Sequence, residues 1–155
     1  MKAVEVLAQN NGEVTKAYYA ELQSKGIAGE IAVALFRAQK RSSRAKDYRR
    51  GKWRRAAYDV KNWSMGELCR LLAQHASAVG IASWGWKPDP DVPFGDEPSH
   101  VLYVDLPDNI GQISFHSPNR LSGPDYPHHW SGDHRSAERI VLFCDRVMLN
   151  GNGAA

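Results

Sequence analysis

The chain has 155 residues, 43% of them hydrophobic and 24% charged, the proportions of a folded domain able to bury a core without disulfide staples and unlike those of a disordered chain. Its apolar runs are only a few residues long, which excludes a helical membrane span, and no pattern of a secretory leader opens it. The formal net charge of +3 hides a strong asymmetry: eleven basic residues between Arg37 and Lys61 meet only Asp47 and Asp59, a local excess of +9, so the other 130 residues sum to −6.

Val14, Tyr18 and Leu22 recur every fourth position, which predicts a helix over 13–25 stopped by Gly26. A second helix is expected from about Gly29 into the forties, with Ile31, Leu35 and Ala38 on one side and Ala32 and Phe36 beside them. As it leaves its apolar stretch it turns basic, placing Arg37, Lys40, Arg41 and Arg44 within one or two turns of each other, until Gly51 interrupts. "SMGE" at 64–67 reads as a capping box, with Ser64 and Glu67 satisfying each other's backbone donors. Leu68, Leu71, Leu72, His75 and Val79 follow as an apolar stripe closed by Gly80.

From 81 the pattern changes to strand, with Ala82, Trp84 and Trp86 on one side of "IASWGW". The stretch "WKPDPDVPFGDEPSH" carries four prolines and several acids and reads as a loop, too rich in proline for a helix or a central strand. "HVLYVDLPDNIGQISFH" is two alternating runs around a Pro-Asp-Asn-Ile turn, an antiparallel hairpin. Pairing Asp105 with Gln112 sets Tyr103 opposite Ser114 and Val101 opposite His116, and gathers Leu102, Val104, Ile113 and Phe115 on the buried face. Residues 117–135 are expected to form a long Gly- and Pro-rich loop, and a last helix from near Ser136 should turn Ile140, Cys144 and Val147 inward and end at Asn150-Gly151.

Three groups of residues could carry function. The basic stretch offers Arg37, Lys40, Arg41, Arg44, Arg49, Arg50, Lys52, Arg54 and Arg55 to phosphates, with Trp53 among the aromatics that could stack on bases. It has no helix-turn-helix, zinc-finger or RNP signature, so backbone-directed contact with DNA or RNA is the mode expected, with a solvated helix face or an acidic protein surface as the competing readings. The second group is His116 at a strand end, with His134, Arg120 and Arg135 and the neighbouring histidines and acids, enough for acid–base or phosphodiester chemistry; loop histidines, however, commonly just bond backbone. Its spacing matches no metal-ligand pattern, so no metal and no cofactor are expected. The third is the aromatic set Trp84, Trp86, Tyr103, Tyr126 and Trp130, which could wall a binding site or simply close the core of a small sheet. Cys69 and Cys144 form no C-x-x-C pair, which predicts free thiols and a cytoplasmic setting; a cysteine nucleophile paired with His116 is a lesser alternative.

"LYVDLP…GQISFH" followed by "DYPHHWSGDHRSAER" resembles small uncharacterised proteins carried by phages and other mobile elements, over residues 100–140. Ser114, Phe115, His116, Trp130, Gly132, Asp133, His134, Glu138 and Arg139 fall on that pattern. The resemblance implies a setting in which a small basic protein binds nucleic acid or obstructs a host defence complex that handles it, as anti-CRISPR proteins do.

The sequence thus predicts an α+β fold: a small antiparallel sheet of about three strands, helices packed on one face, and a basic helical arm. It reads as one domain over 1–150, with a basic helical part over 13–80, a hairpin-and-loop part over 81–150 and a frayed tail at 151–155. The expected function is non-enzymatic, backbone-directed nucleic-acid binding through the arm. The alternatives are inhibition of a host protein complex through an acidic surface, and a His116-centred phosphodiesterase or nuclease.

Overall fold

The computed structural model describes residues 2–49, 66–94, 97–116, 131–132 and 134–149; for 40–49, 89–94, 97–99, 131–132 and 134 it is the backbone course that is described. Among the described residues, five helices and an antiparallel sheet make an α+β fold.

α1 is Ala3–Gln9. Its N-terminus is held from the far end of the chain, where the Asp145 carboxylate accepts the Ala3 N–H, and Glu5 accepts from the Lys2 N–H at 3.2 Å. Both bonds satisfy donors that a helix start leaves open. Ala3 and Val6 are the residues it buries. α2, Lys16–Gln23, starts where Thr15 Oγ1 accepts the Tyr18 N–H at 3.2 Å and stops before Gly26, whose φ of 75° reverses the chain. α3, Ile27–Arg49, follows at once. The corner is tight because Gly29 lies against α2: a Cβ there would sit 1.6 Å from the Leu22 carbonyl oxygen, so no other residue fits without moving the pair apart.

α3 is the axis of the helical layer. Ala28, Ile31, Ala32, Val33, Ala34, Leu35, Phe36 and Ala38 are buried, and the helix packs on α2, α5, β4 and a 3₁₀ turn. Its 23 residues span about 34 Å at 1.5 Å per residue. Helix α4 runs over 66–75 and tightens into that 3₁₀ turn, Ala76–Val79, ending at Gly80 with φ 83°. Leu68, Leu71, Leu72 and Val79 are buried as the stripe requires, while His75 is half-buried at the junction. Ser64 lies outside the described residues. Glu67 Oε2 accepts from Arg37 of α3.

The sheet has the order β1-β2-β3-β4: β1 is Trp84–Phe94, β2 Glu97–Leu106, β3 Gly111–His116, and β4 only Ser131–Gly132. The hairpin register is the one the alternation predicts, with Asp105 opposite Gln112, Tyr103 opposite Ser114 and Val101 opposite His116. Asp108 and Asn109 have φ of 55° and 60°, the backbone of a two-residue turn whose twist matches the strands. Leu102, Val104, Ile113 and Phe115 are all fully buried in the core shared with the helices.

The proline-rich stretch corrects the expectation of a loop. β1 continues through Pro88 and Pro90 to Phe94, and β2 already begins at Glu97. β1 is an edge strand, so a proline lacking its N–H forfeits no interior ladder bond, and the register shift between Asp89 and Pro93 takes up the mismatch. The last helix, α5, is His134–Leu149; Ile140, Phe143, Cys144 and Val147 face the core.

Candidate functional site

Two places on this framework gather the residues that carry chemistry: the distal half of α3, and the face of the sheet turned away from the helices.

Along α3 the helical backbone continues without a break through Lys40, Arg41, Arg44, Lys46 and Arg49. Ala38 is in the core. Arg37 stands at the transition and is engaged inside the protein: Nη1 donates to Glu67 Oε2 at 3.3 Å, and the guanidinium lies 5.5 Å from the centroid of the Tyr19 ring. Of the candidate contacts, Arg37 therefore already has an acid and an aromatic partner. Arg50, Lys52, Trp53, Arg54 and Arg55 lie outside the described residues.

The outer face of the sheet is built by alternation. Because Leu102, Val104, Ile113 and Phe115 point inward, Tyr103, Asp105, Gln112, Ser114 and His116 point out. Asp105 is the centre of one group: Ser83 Oγ–H donates to its carboxylate, and Gln112 Nε2 donates to Oδ1 at 2.9 Å. Those bonds from Ser83 and Gln112, with Lys87 adding its positive field, hold the Asp105 carboxyl below the usual carboxylate range. Lys87 Nζ sits 4.5 Å from the Tyr103 ring centroid, across the neighbouring strand. A second group follows on β3, where Ser114 Oγ and His116 Nε2 are 3.1 Å apart. Strand geometry puts residues two apart on one face, and here it brings hydroxyl and imidazole into hydrogen-bond contact.

Ser114 is held from behind. Ser136 of α5, 1% exposed, accepts the Ser114 N–H at 2.9 Å through Oγ and donates to the Ser114 carbonyl at 3.1 Å. Arg139 Nη1 donates to the Gln112 carbonyl. Among the described residues β4 pairs with Phe115 and His116, and these side chains bond the edge of β3 at Ser114 and Gln112. Gly111, with φ 111°, leaves room for Arg139: a Cβ there would lie 2.9 Å from Nε. Val101, opposite both Lys87 and His116, is 7% exposed although it lies on the outer face, apart from the core cluster.

Of the predicted catalytic set, His116 is on β3 with Ser114 as neighbour, and His134 is the first residue of α5 rather than part of a loop. β4 carries the chain from His116's flank into that helix. Arg120, Asp125, Tyr126, His128, His129, Trp130 and Asp133 lie outside the described residues. Among the described residues no cluster of His, Cys, Asp or Glu has the geometry to hold a metal ion. Trp84 and Trp86 pair with Val104 and Leu102 and pack against the core, so these two close the sheet. Cys144 is fully buried and burial pushes its thiol well up, which removes it as a nucleophile for His116. Cys69 is half-buried on α4.

Sequence reasoning placed Ser114 and His116 on one face without pairing them; their i, i+2 spacing in a strand is the signal. It missed Ser83, Lys87, Ser136 and Arg139, which act across 16 to 27 positions of chain and leave no local trace. A concave region of about 240 Å³ lies elsewhere, lined mainly by apolar side chains of α1, α3 and α5 such as Leu7, Phe36 and Ile140, with Tyr19, Glu13 and Gln39 as its polar members.

No helix among the described residues is long and apolar enough to cross a membrane. No family model, curated protein or solved structure matches the chain.

Proposed function

We propose that this chain is a nucleic-acid-binding protein of a phage or mobile element that grips the sugar–phosphate backbone through the basic half of α3 and the basic residues following it. The observation that carries this reading is the continuity of α3: one helix has Ala28, Ile31, Leu35 and Ala38 in the core and its backbone runs on, as helix, through Lys40, Arg41, Arg44, Lys46 and Arg49. A rigid element anchored in the core at one end is a suitable mount for charges that contact a polyanion. Charge separation supports it as well, because the excess of +9 over Arg37–Lys61 is set against −6 on the rest of the chain. Arg37 belongs to the anchor in this reading, and the contacts begin at Lys40.

The test is fluorescence anisotropy with labelled single- and double-stranded DNA and RNA. Affinity should fall roughly 10³-fold or more between about 50 and 200 mM salt if about six phosphates are contacted. Absence of binding to all four, or binding indifferent to salt, overturns the proposal. A stoichiometric protein partner that survives nuclease treatment, with no nucleic-acid binding, would assign the arm to an acidic protein surface instead.

A further inference from the structure

We propose that Ser114 is a nucleophile for phosphoryl transfer, with His116 as its general base, on the outer face of the sheet. This rests on the sheet and not on the arm, so it stands or falls separately from nucleic-acid binding.

Two features bear on Ser114 itself, and a third on the face around it. Its Oγ lies 3.1 Å from His116 Nε2, within reach for the imidazole to accept the hydroxyl proton when the ring carries its own proton on Nδ1. Its main chain is clamped on both sides by the buried Ser136 hydroxyl, so the hydroxyl is presented from a rigid base rather than from a loop. Directly across the strand pair stands Tyr103, its ring leaning over Gly85 of β1 with the Lys87 ammonium 4.5 Å from it. A cation on the same face suits the charge of a phosphoryl group and its transition state.

Ser114 Oγ attacks phosphorus as its proton passes to His116 Nε2. The Oγ–P bond forms, the P–O bond to the leaving alcohol breaks, and His116 returns the proton to the departing oxygen. Water then attacks the serine phosphoester, giving its proton to His116, and the P–Oγ bond breaks to restore the hydroxyl. The substrate class is a phosphate ester with an exposed phosphoryl group.

The full chain is treated with a tagged fluorophosphonate, in which phosphorus loses fluoride as Ser114 Oγ–P forms. Peptide mass mapping should place the adduct on Ser114 in the native protein and not in protein unfolded in denaturant. His116→Ala should slow labelling by about 100-fold or more, the range of a lost general base, and His116→Gln should slow it as much while keeping a side chain of similar reach. Mapping on the unaltered chain decides the question even where a variant does not fold. No adduct on Ser114, or an adduct formed as fast with either His116 variant, overturns the inference.

Discussion

The hydroxyl of Tyr18 is out of place by the usual rules. The residue is 2% exposed in the α2 face against α5, and among the described residues its OH has no hydrogen-bond partner. Burial is the first cause pushing its phenol well above the usual range, helped by Cys144, Asp145 and Glu21. A buried polar atom without a partner forfeits its hydration and regains nothing. Tyr18→Phe should therefore leave stability unchanged or raise it by up to about 1 kcal/mol in a denaturant midpoint measurement; a clear loss would mean the hydroxyl is bonded.

Asp105 makes the opposite case, a carboxylate whose partners favour the charged form. Its folded pKa lies below the ordinary 3.8 because Ser83 and Gln112 donate to it. The sign follows from linkage: stability from Asp105 is fully present above the unfolded value and is lost as pH falls through the lower folded value. Chemical denaturation from about pH 6 to about pH 2 should show a shallower acid decline for Asp105→Ala than for the parent chain. Identical slopes would show that the two hydrogen bonds do not favour the carboxylate.

Between elements, the edge of β3 is the joint on which the outer face depends. A sheet edge needs partners for its N–H and C=O groups, and among the described residues β4 pairs with Phe115 and His116. Ser136 and Arg139 of α5 take over for Ser114 and Gln112, which fastens helix to strand. Ser136→Ala strands the Ser114 amide in a buried place and should cost about 1–3 kcal/mol, read as a shift in the urea midpoint. If the inference about Ser114 holds, the same variant slows fluorophosphonate labelling under conditions where the protein is still folded, since it frees the nucleophile's main chain.

For the molecule as a whole, the arm and the body separate in charge. Among the residues whose side chains are described, α3 carries its core contacts up to Ala38, and the candidate contacts start two residues later. Replacing Lys40, Arg41, Arg44 and Lys46 together by Gln should thus leave the far-ultraviolet spectrum unchanged. The slope of log affinity against log salt should fall by up to about 3 to 4 if each side chain meets a phosphate. An unchanged slope would put the polyanion contacts elsewhere. Arg37 is left in place because its Glu67 and Tyr19 contacts join α3 to α4 and α2. A partly exposed ion pair of this kind contributes no more than about 1 kcal/mol, so its role is placement.

Much was legible without coordinates where physics is local. The hairpin register follows from a side-chain period of two, since a slip by one would bury Asp105 and Gln112 and expose Phe115. The helix period and its glycine stops located α2, α3, the stripe of α4 and the inward face of α5, with starts off by a few residues. α1 was not read from the sequence; its start is held partly by Glu5, three positions on, and partly by Asp145, 142 positions from Ala3. β1 was misread because proline is judged by the strand's place in the sheet, and whether a strand lies at the edge is not a local property.

Sequence alone therefore settled which residues alternate, which recur every turn and where the positive charge accumulates, all of which depend on neighbours a few positions apart. Tertiary structure alone decided that Arg37 meets Glu67, that Ser136 clamps Ser114, and that Ser83, Gln112 and Asp105 form one group on the outer face. Those pairings depend on how whole elements dock, and a hydrogen bond or ion pair acts only over a few ångströms of space, whatever the distance along the chain.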